Sequence, residues 1–173
     1  MKAVRALAVL VLVLLVAPSC RDTATAPLAP RSPQADLTGS LLAPTGLLKC
    51  SDLPAATTTA TIGSAGGMIS AGPHTLVIPP GALSAPTQIT MTIPTGLGVK
   101  AVKFQPEGLQ FSKPAALTMS YANCSLLGNL LPKQIAYTTD NLSILSYLLS
   151  IDNLLAKKVT GQVNHFSDYV VAW

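Results

Sequence analysis

From Thr57 onward, the chain never holds one hydrophobic pattern for long before glycine, proline, asparagine or aspartate interrupts it. That punctuation limits the possible folds more than any single motif. Residues 88–93 show the unit: Ile89, Met91 and Ile93 fall on one side, Gln88, Thr90 and Thr92 on the other. Alternation of this kind marks a strand with one buried face. The same reading predicts strands over 57–62, 68–70, 74–78, 99–104, 116–121, 134–139, 143–149 and 157–163, and a single closing strand over 163–171. Pro79-Pro80-Gly81 stops the strand at 74–78, because two prolines remove ladder donors and Gly81 can take a positive φ. Gly63-Ser64-Ala65-Gly66-Gly67 is a turn by composition, and Asp140-Asn141 reads as a hairpin turn. The leucine-rich stretch 143–155 reads as a strand plus a turn. The apolar run 126–131 is open to two readings, a short helix or a loop plug, and Pro132 ends it. Short strands at this spacing predict an all-β fold, an antiparallel β-sandwich over residues 49–173.

The first 19 residues read differently. Lys2 and Arg5 precede an unbroken apolar run, Ala6 to Val16, followed by Ala17-Pro18-Ser19-Cys20. A basic start, a short apolar core and small residues at the exit predict a secretory signal peptide, residues 1–19. The apolar run is too short to span about 30 Å of hydrocarbon as a helix. Small residues before Cys20 resemble the lipobox of bacterial lipoproteins, with Ala17 where that motif usually has leucine. The resemblance implies acylation of Cys20 and anchoring to a membrane. Arg21 is not the aspartate that often retains lipoproteins at the inner membrane, which points to the outer one. The alternative is cleavage near Ser19 and a secreted or periplasmic protein. Residues 20–48 carry Pro27, Pro30, Pro33 and Pro44 among Ala, Thr, Ser and Gly, with neither period 2 nor period 3.6. They read as a disordered, flexible tether. Leu41-Leu42 and Leu47-Leu48 are apolar enough to pack on the domain.

The formal net charge is +4, but without Lys2 and Arg5 nine basic residues face seven acidic ones, a net of about +2. Apart from Lys157-Lys158 the basic residues are scattered singly and form no stripe that could track phosphates, so no nucleic-acid partner is expected. With Cys20 lipidated, Cys50 and Cys124 remain as an even pair in an oxidising compartment. A bridge between them would stabilise the fold by about 4 kcal/mol in the chain-entropy account. The alternative is two separately buried thiols.

Three ordered motifs carry a resemblance to a known family. Met68 to Ser70 leads to Leu76-Val77-Ile78-Pro79-Pro80-Gly81-Ala82-Leu83. Pro106-Glu107-Gly108-Leu109-Gln110-Phe111-Ser112-Lys113-Pro114 follows, and His165-Phe166-Ser167 lies near the end. Together they cover residues 62–172 and resemble the ZU-five domain of zona-occludens proteins, netrin receptors and ankyrins. The resemblance implies a β-sandwich that serves as an interaction module. It also implies possible self-processing, since relatives that cleave themselves do so before the serine of His-Phe-Ser. That chemistry is an N-to-O acyl shift, with Ser167 Oγ attacking the Phe166 carbonyl and His165 handling protons. It needs a distorted peptide, hence a bulge or kink in the strand. Against this, period 2 places Val163, His165, Ser167, Tyr169 and Val171 on one mostly apolar face, where a hydrogen-bonded core histidine is the commoner occupant. Cleavage would also detach only residues 167–173.

Other chemistries find little support in the residues. His74 has no partner at metal-ligand spacing, so no metal site is expected. Glu107 stands alone where glycoside hydrolysis uses a carboxylate pair. No nucleophile elbow or phosphate loop occurs, and the 63–67 glycines belong to a turn. The sequence gives no reason to expect a cofactor or a small-molecule ligand. Glycan binding wants an exposed aromatic platform, whereas Phe104, Phe111 and Tyr121 sit at core-like positions and Trp173 is terminal. The expectation is therefore a non-enzymatic, envelope-anchored sandwich that binds an unidentified protein or supports the envelope. Self-cleavage between Phe166 and Ser167 and glycan binding are the alternatives.

Overall fold

The structure, a computed structural model, describes residues 46–125 and 131–173. The expected signal peptide, Cys20, nearly all of the expected tether and residues 126–130 lie outside the described residues.

Among the described residues the fold is all-β, with eleven strands and no helix. In chain order they are β1 (Ala56–Ile62), β2 (Gly67–Ala71), β3 (His74–Ile78), β4 (Thr87–Ile93), β5 (Ala101–Gln105), β6 (Gln110–Ser120), β7 (Gln134–Thr138), β8 (Ile144–Tyr147), β9 (Ser150–Asn153), β10 (Lys158–His165) and β11 (Asp168–Ala172). One sheet has the order β1-β4-β5-β11-β7-β8, the other β2-β3-β6-β10-β9. All pairings between these strands are antiparallel. Two such sheets, each apolar on one side, stack to bury those sides together. Ile89, Met91, Ile93, Val102, Phe104, Ile135, Tyr169 and Val171 from the first sheet share one core with Ile69, Leu76, Ile78, Leu117, Met119, Val159 and Val163 from the second. Every side chain in that set is at most 2% exposed.

The Pro-Pro-Gly corner works as its chemistry predicts. Gly81 adopts φ 76°, and its N–H donates to Ser64 O at 2.8 Å, clamping the corner to the β1–β2 turn. Gly66 in that turn has no room for a side chain, since a Cβ would lie 2.4 Å from Ile78 O. The 140–141 turn closes through a 3.1 Å bond from Thr139 N to Ser143 O, with the positive φ falling on Leu142.

A small second cluster lies on the outer side of the six-stranded sheet. Ala101, Ala136, Val170 and Ala172 are covered there by Leu47, Val99, Leu142 and Ile144. Leu47 bridges to Ala172, Leu48 N donates to Val171 O at 3.2 Å, and Leu48 is fully buried. Cys50 and Cys124 are joined as a disulfide, across an isolated bridge between two segments outside the named strands.

Two strand expectations need correction. The closing strand 163–171 is not one strand. It ends at His165 and resumes at Asp168 in the other sheet, so His165-Phe166-Ser167 is the corner where the chain changes layers. Phe166, expected opposite the core face, is 1% exposed and fills the core at that corner. Residues 143–155 are likewise two strands in two sheets, with the crossing at Leu148-Leu149. In addition, β6 starts at Gln110, earlier than the expected 116, and contains Pro114. That proline is tolerated because the β6–β10 register slips between Val163 and His165, leaving its neighbourhood outside the regular ladder.

Candidate functional site

The three motifs, far apart in the chain, meet at one end of the sandwich. Ser112 N donates to Ala82 O at 3.0 Å, and Lys113 Nζ to Pro80 O at 3.0 Å. This ties the second motif to the first. Phe166 N donates to Leu109 O at 2.8 Å, and Gly108 N donates to Phe166 O at 3.0 Å, which ties the second to the third. The Phe166 ring stacks on Phe104 with centroids 4.8 Å apart and meets Phe111 edge-on at 5.1 Å. An aromatic cluster of this kind adds about 0.5–1.5 kcal/mol per pair beyond burial, so the corner is rigidly held.

His165 is half-buried. Its ring packs edge-on against Tyr137 at 5.3 Å, and its Nδ1 lies 3.3 Å from Phe166 O. A carbonyl can only accept, so this contact places the proton on Nδ1. The Tyr169 hydroxyl donates to His165 O, and burial pushes that phenol's pKa up. Ser167 is half-buried, and its hydroxyl makes no hydrogen bond. The structure therefore brings His165 to the Phe166 carbonyl rather than to the Ser167 hydroxyl. Two donors, Gly108 N–H and His165 Nδ1–H, converge on the one carbonyl that an attack by Ser167 would polarise.

Beside Ser167 lies a pocket of about 290 Å³. Glu107 comes from the Pro106–Gly108 turn, Thr138 to Asp140 from the end of β7, and Ser167 with Asp168 from the corner. Leu145 forms the remaining wall. It is the extra residue of a bulge, since Tyr137 pairs with Ser146 but Thr138 pairs with Ile144. Lys103, Asp168 and Thr138 stand in one row across β5, β11 and β7. Lys103 Nζ bridges Asp140 at 2.9 Å and Asp168 at 2.5 Å. The hydrogen bond to Asp140, followed by that to Asp168, raises the lysine pKa, and the same bond lowers that of Asp140. Thr138 Oγ1 is buried with no hydrogen-bond partner.

The remaining candidates have structural roles. His74 is fully buried, with its Nδ1 accepting from Ser120 N at 3.1 Å. Burial and the neighbouring Lys100 push its pKa down to about 4. Among the described residues no group of three or more His, Cys, Asp or Glu could hold a metal ion. Phe104 and Tyr121 are core residues, and Phe111 packs against the core. Sequence reasoning missed two buried lysines, Lys100 and Lys133, at 2% and 1% exposure. Lys100 Nζ donates to Ser51 O, and Lys133 Nζ donates to Leu131 O, with its ammonium 5.8 Å above the Tyr121 ring. Burial lowers both pKa values. Asp152 completes this inner network by accepting from Tyr121 OH and Lys133 N, both at 2.7 Å. Singly placed lysines just before the strands β5 and β7 give no local sign of such burial. The pocket was also missed, because its parts come from three separate segments.

A scan against protein-family models returns no match, and neither does a search of curated proteins.

Proposed function

We propose that this chain is a non-enzymatic, exported β-sandwich that acts as an interaction module, tethered to the cell envelope through lipid on Cys20. The observation that carries this reading is the edge formed by β8 and β9. These consecutive strands are outermost in the two sheets, on the same flank. Leu145 is 57% exposed, Tyr147 45%, Leu149 77% and Ile151 79%, a run of large apolar side chains facing outward. Asp152, the one charged residue in the two strands, points inward to Tyr121 and Lys133. Soluble proteins guard open edges with outward charge, proline, bulges, inward charge or short strands. Here the two short strands carry the bulge at Leu145 and the inward Asp152, but neither proline nor an outward charge. The opposite flank differs: β1 presents Thr57, Thr59 and Thr61. A contiguous apolar edge is the kind of surface that takes up a protein segment. The Cys50–Cys124 disulfide fits an oxidising, exported setting. Pull-down from envelope extract tests the reading. Wild-type protein should capture a partner that Leu149→Lys/Ile151→Lys loses while melting at the same temperature. Identical capture by both forms would sink it. Palmitate labelling that persists in Cys20→Ala would refute acylation at that residue.

The geometry at Phe166 favours a second reading, self-cleavage. Ser167 Oγ would add to the Phe166 carbonyl carbon while Gly108 N–H and His165 Nδ1–H hold the developing oxyanion. The C–N bond then breaks, the hydroxyl proton passes to the Ser167 amine, and an ester links Phe166 to Ser167 Oγ. Water hydrolyses that ester to a Phe166 carboxylate and a free Ser167 N-terminus. The register slip before His165 and the change of sheet after it supply the kink this attack needs. Intact mass decides: loss of residues 167–173, abolished by Ser167→Ala, establishes the reaction. An unbroken mass after long incubation excludes it.

A further inference from the structure

We infer that the pocket beside Ser167 binds an organic cation, a guanidinium or alkylammonium group of the kind that ends an arginine or lysine side chain. Charge is the first argument. Glu107, Asp140 and Asp168 gather around the pocket, and Lys103 bridges only the last two. Three carboxylates against one ammonium leave about two negative charges unbalanced at neutral pH. The second argument is independent of charge. Thr138 is only 3% exposed, and its Oγ1 has no partner. A buried hydroxyl left unpaired forfeits the hydrogen bonds it made with water in the unfolded chain, so a ligand N–H reaching it would recover that loss. The Ser167 hydroxyl beside it also makes no hydrogen bond. Leu145, turned onto the pocket by its bulge, gives an apolar wall against which the methylene stem of such a side chain can lie. A metal ion does not suit these carboxylates, which form no ligating cluster.

Leu145 belongs to both the pocket and the exposed β8 edge. A polypeptide laid along that edge could therefore place one basic side chain in the pocket. That source of the cation rests on the interaction reading above, whereas a free amine does not. This departs from the expectation, drawn from sequence, of no small-molecule site.

The test is titration of the full chain with N-acetyl-argininamide, followed by NMR shifts at Thr138, Leu145 and Ser167. Saturable binding on the order of millimolar is expected. It should weaken by roughly tenfold or more in Glu107→Gln/Thr138→Val, the worth of one or two hydrogen bonds to a charged group. The uncharged isostere N-acetyl-citrullinamide and methyl glucoside should not bind. Lack of saturable binding by argininamide or butylamine would overturn the inference. So would equal binding of the citrulline form or the glucoside, or unchanged affinity in the double variant. Leu149→Lys/Ile151→Lys separates this from the edge reading, because it should leave probe binding intact. A short apolar peptide with one arginine marks the polypeptide source if it binds tighter than the probe and loses that gain in the edge variant. Equal affinity for peptide and probe marks a free amine.

Discussion

His74 accepts the Ser120 N–H on Nδ1, so its own proton sits on Nε2, which is buried without an acceptor. The folded state holds this ring neutral, with a pKa lowered from 6.5 to about 4. As pH falls through 6.5, the unfolded chain takes up a proton that the folded one refuses, so stability declines down to pH 4. The loss amounts to about 3 kcal/mol over that window. Urea unfolding at pH 7 and pH 4.5 should show it, and His74→Asn should flatten the dependence. Phe166 offers a second contrast. Removing its ring from the cluster with Phe104 and Phe111 should cost about 3–5 kcal/mol as Phe166→Ala. Ser167→Ala, one position on, loses no hydrogen bond and should leave the melting temperature almost unchanged. A large fall there would mean that Ser167 supports the corner in a way its contacts do not reveal.

Strands with one buried face were legible because their alternation is physical. β3 and β4 appear nearly where residues 74–78 and 88–93 predict them. The layer changes were not legible, for an equally physical reason. Val159 and Val163 point inward from β10, and Tyr169 and Val171 point inward from β11, all at odd positions. The parity of the pattern survives the corner, so period 2 cannot report that the chain has crossed between sheets. Phe166, even-numbered yet part of the central core, breaks the count, whereas the even-numbered Val170 and Ala172 are buried in the separate outer cluster. At β8 and β9 the cause is different: edge strands bury little, and exposed leucines blur the alternation. The catalytic pair named from the His-Phe-Ser motif was legible as a motif. Its geometry was not, because the His165 ring packs on Tyr137, a residue of the other sheet that no local pattern supplies. At this scale, Asp152→Ala should destabilise by about 2–3 kcal/mol, since it strands the Tyr121 hydroxyl and the Lys133 N–H on the inner side of β9.

At the scale of the molecule, one core joins the two sheets, and the Cys50–Cys124 bridge closes the path that includes β1 to β6. Cys50→Ser/Cys124→Ser should cost about 4 kcal/mol. Calorimetry should record a melting temperature lower by roughly 15 °C. The position of the bridge has a mechanical consequence. Load applied through the residues before Gly46 would first peel away the short pairing of Leu47 and Leu48 with Ala172 and Val171. It would then reach Cys50 and pass covalently to Cys124, bypassing the 74-residue separation between them. Stretched between its ends, the oxidised protein should release about 250 Å less contour length than the reduced one. The bridge would thus act as a strain limiter, keeping β1 to β6 slack while β7 to β11 bear the pull.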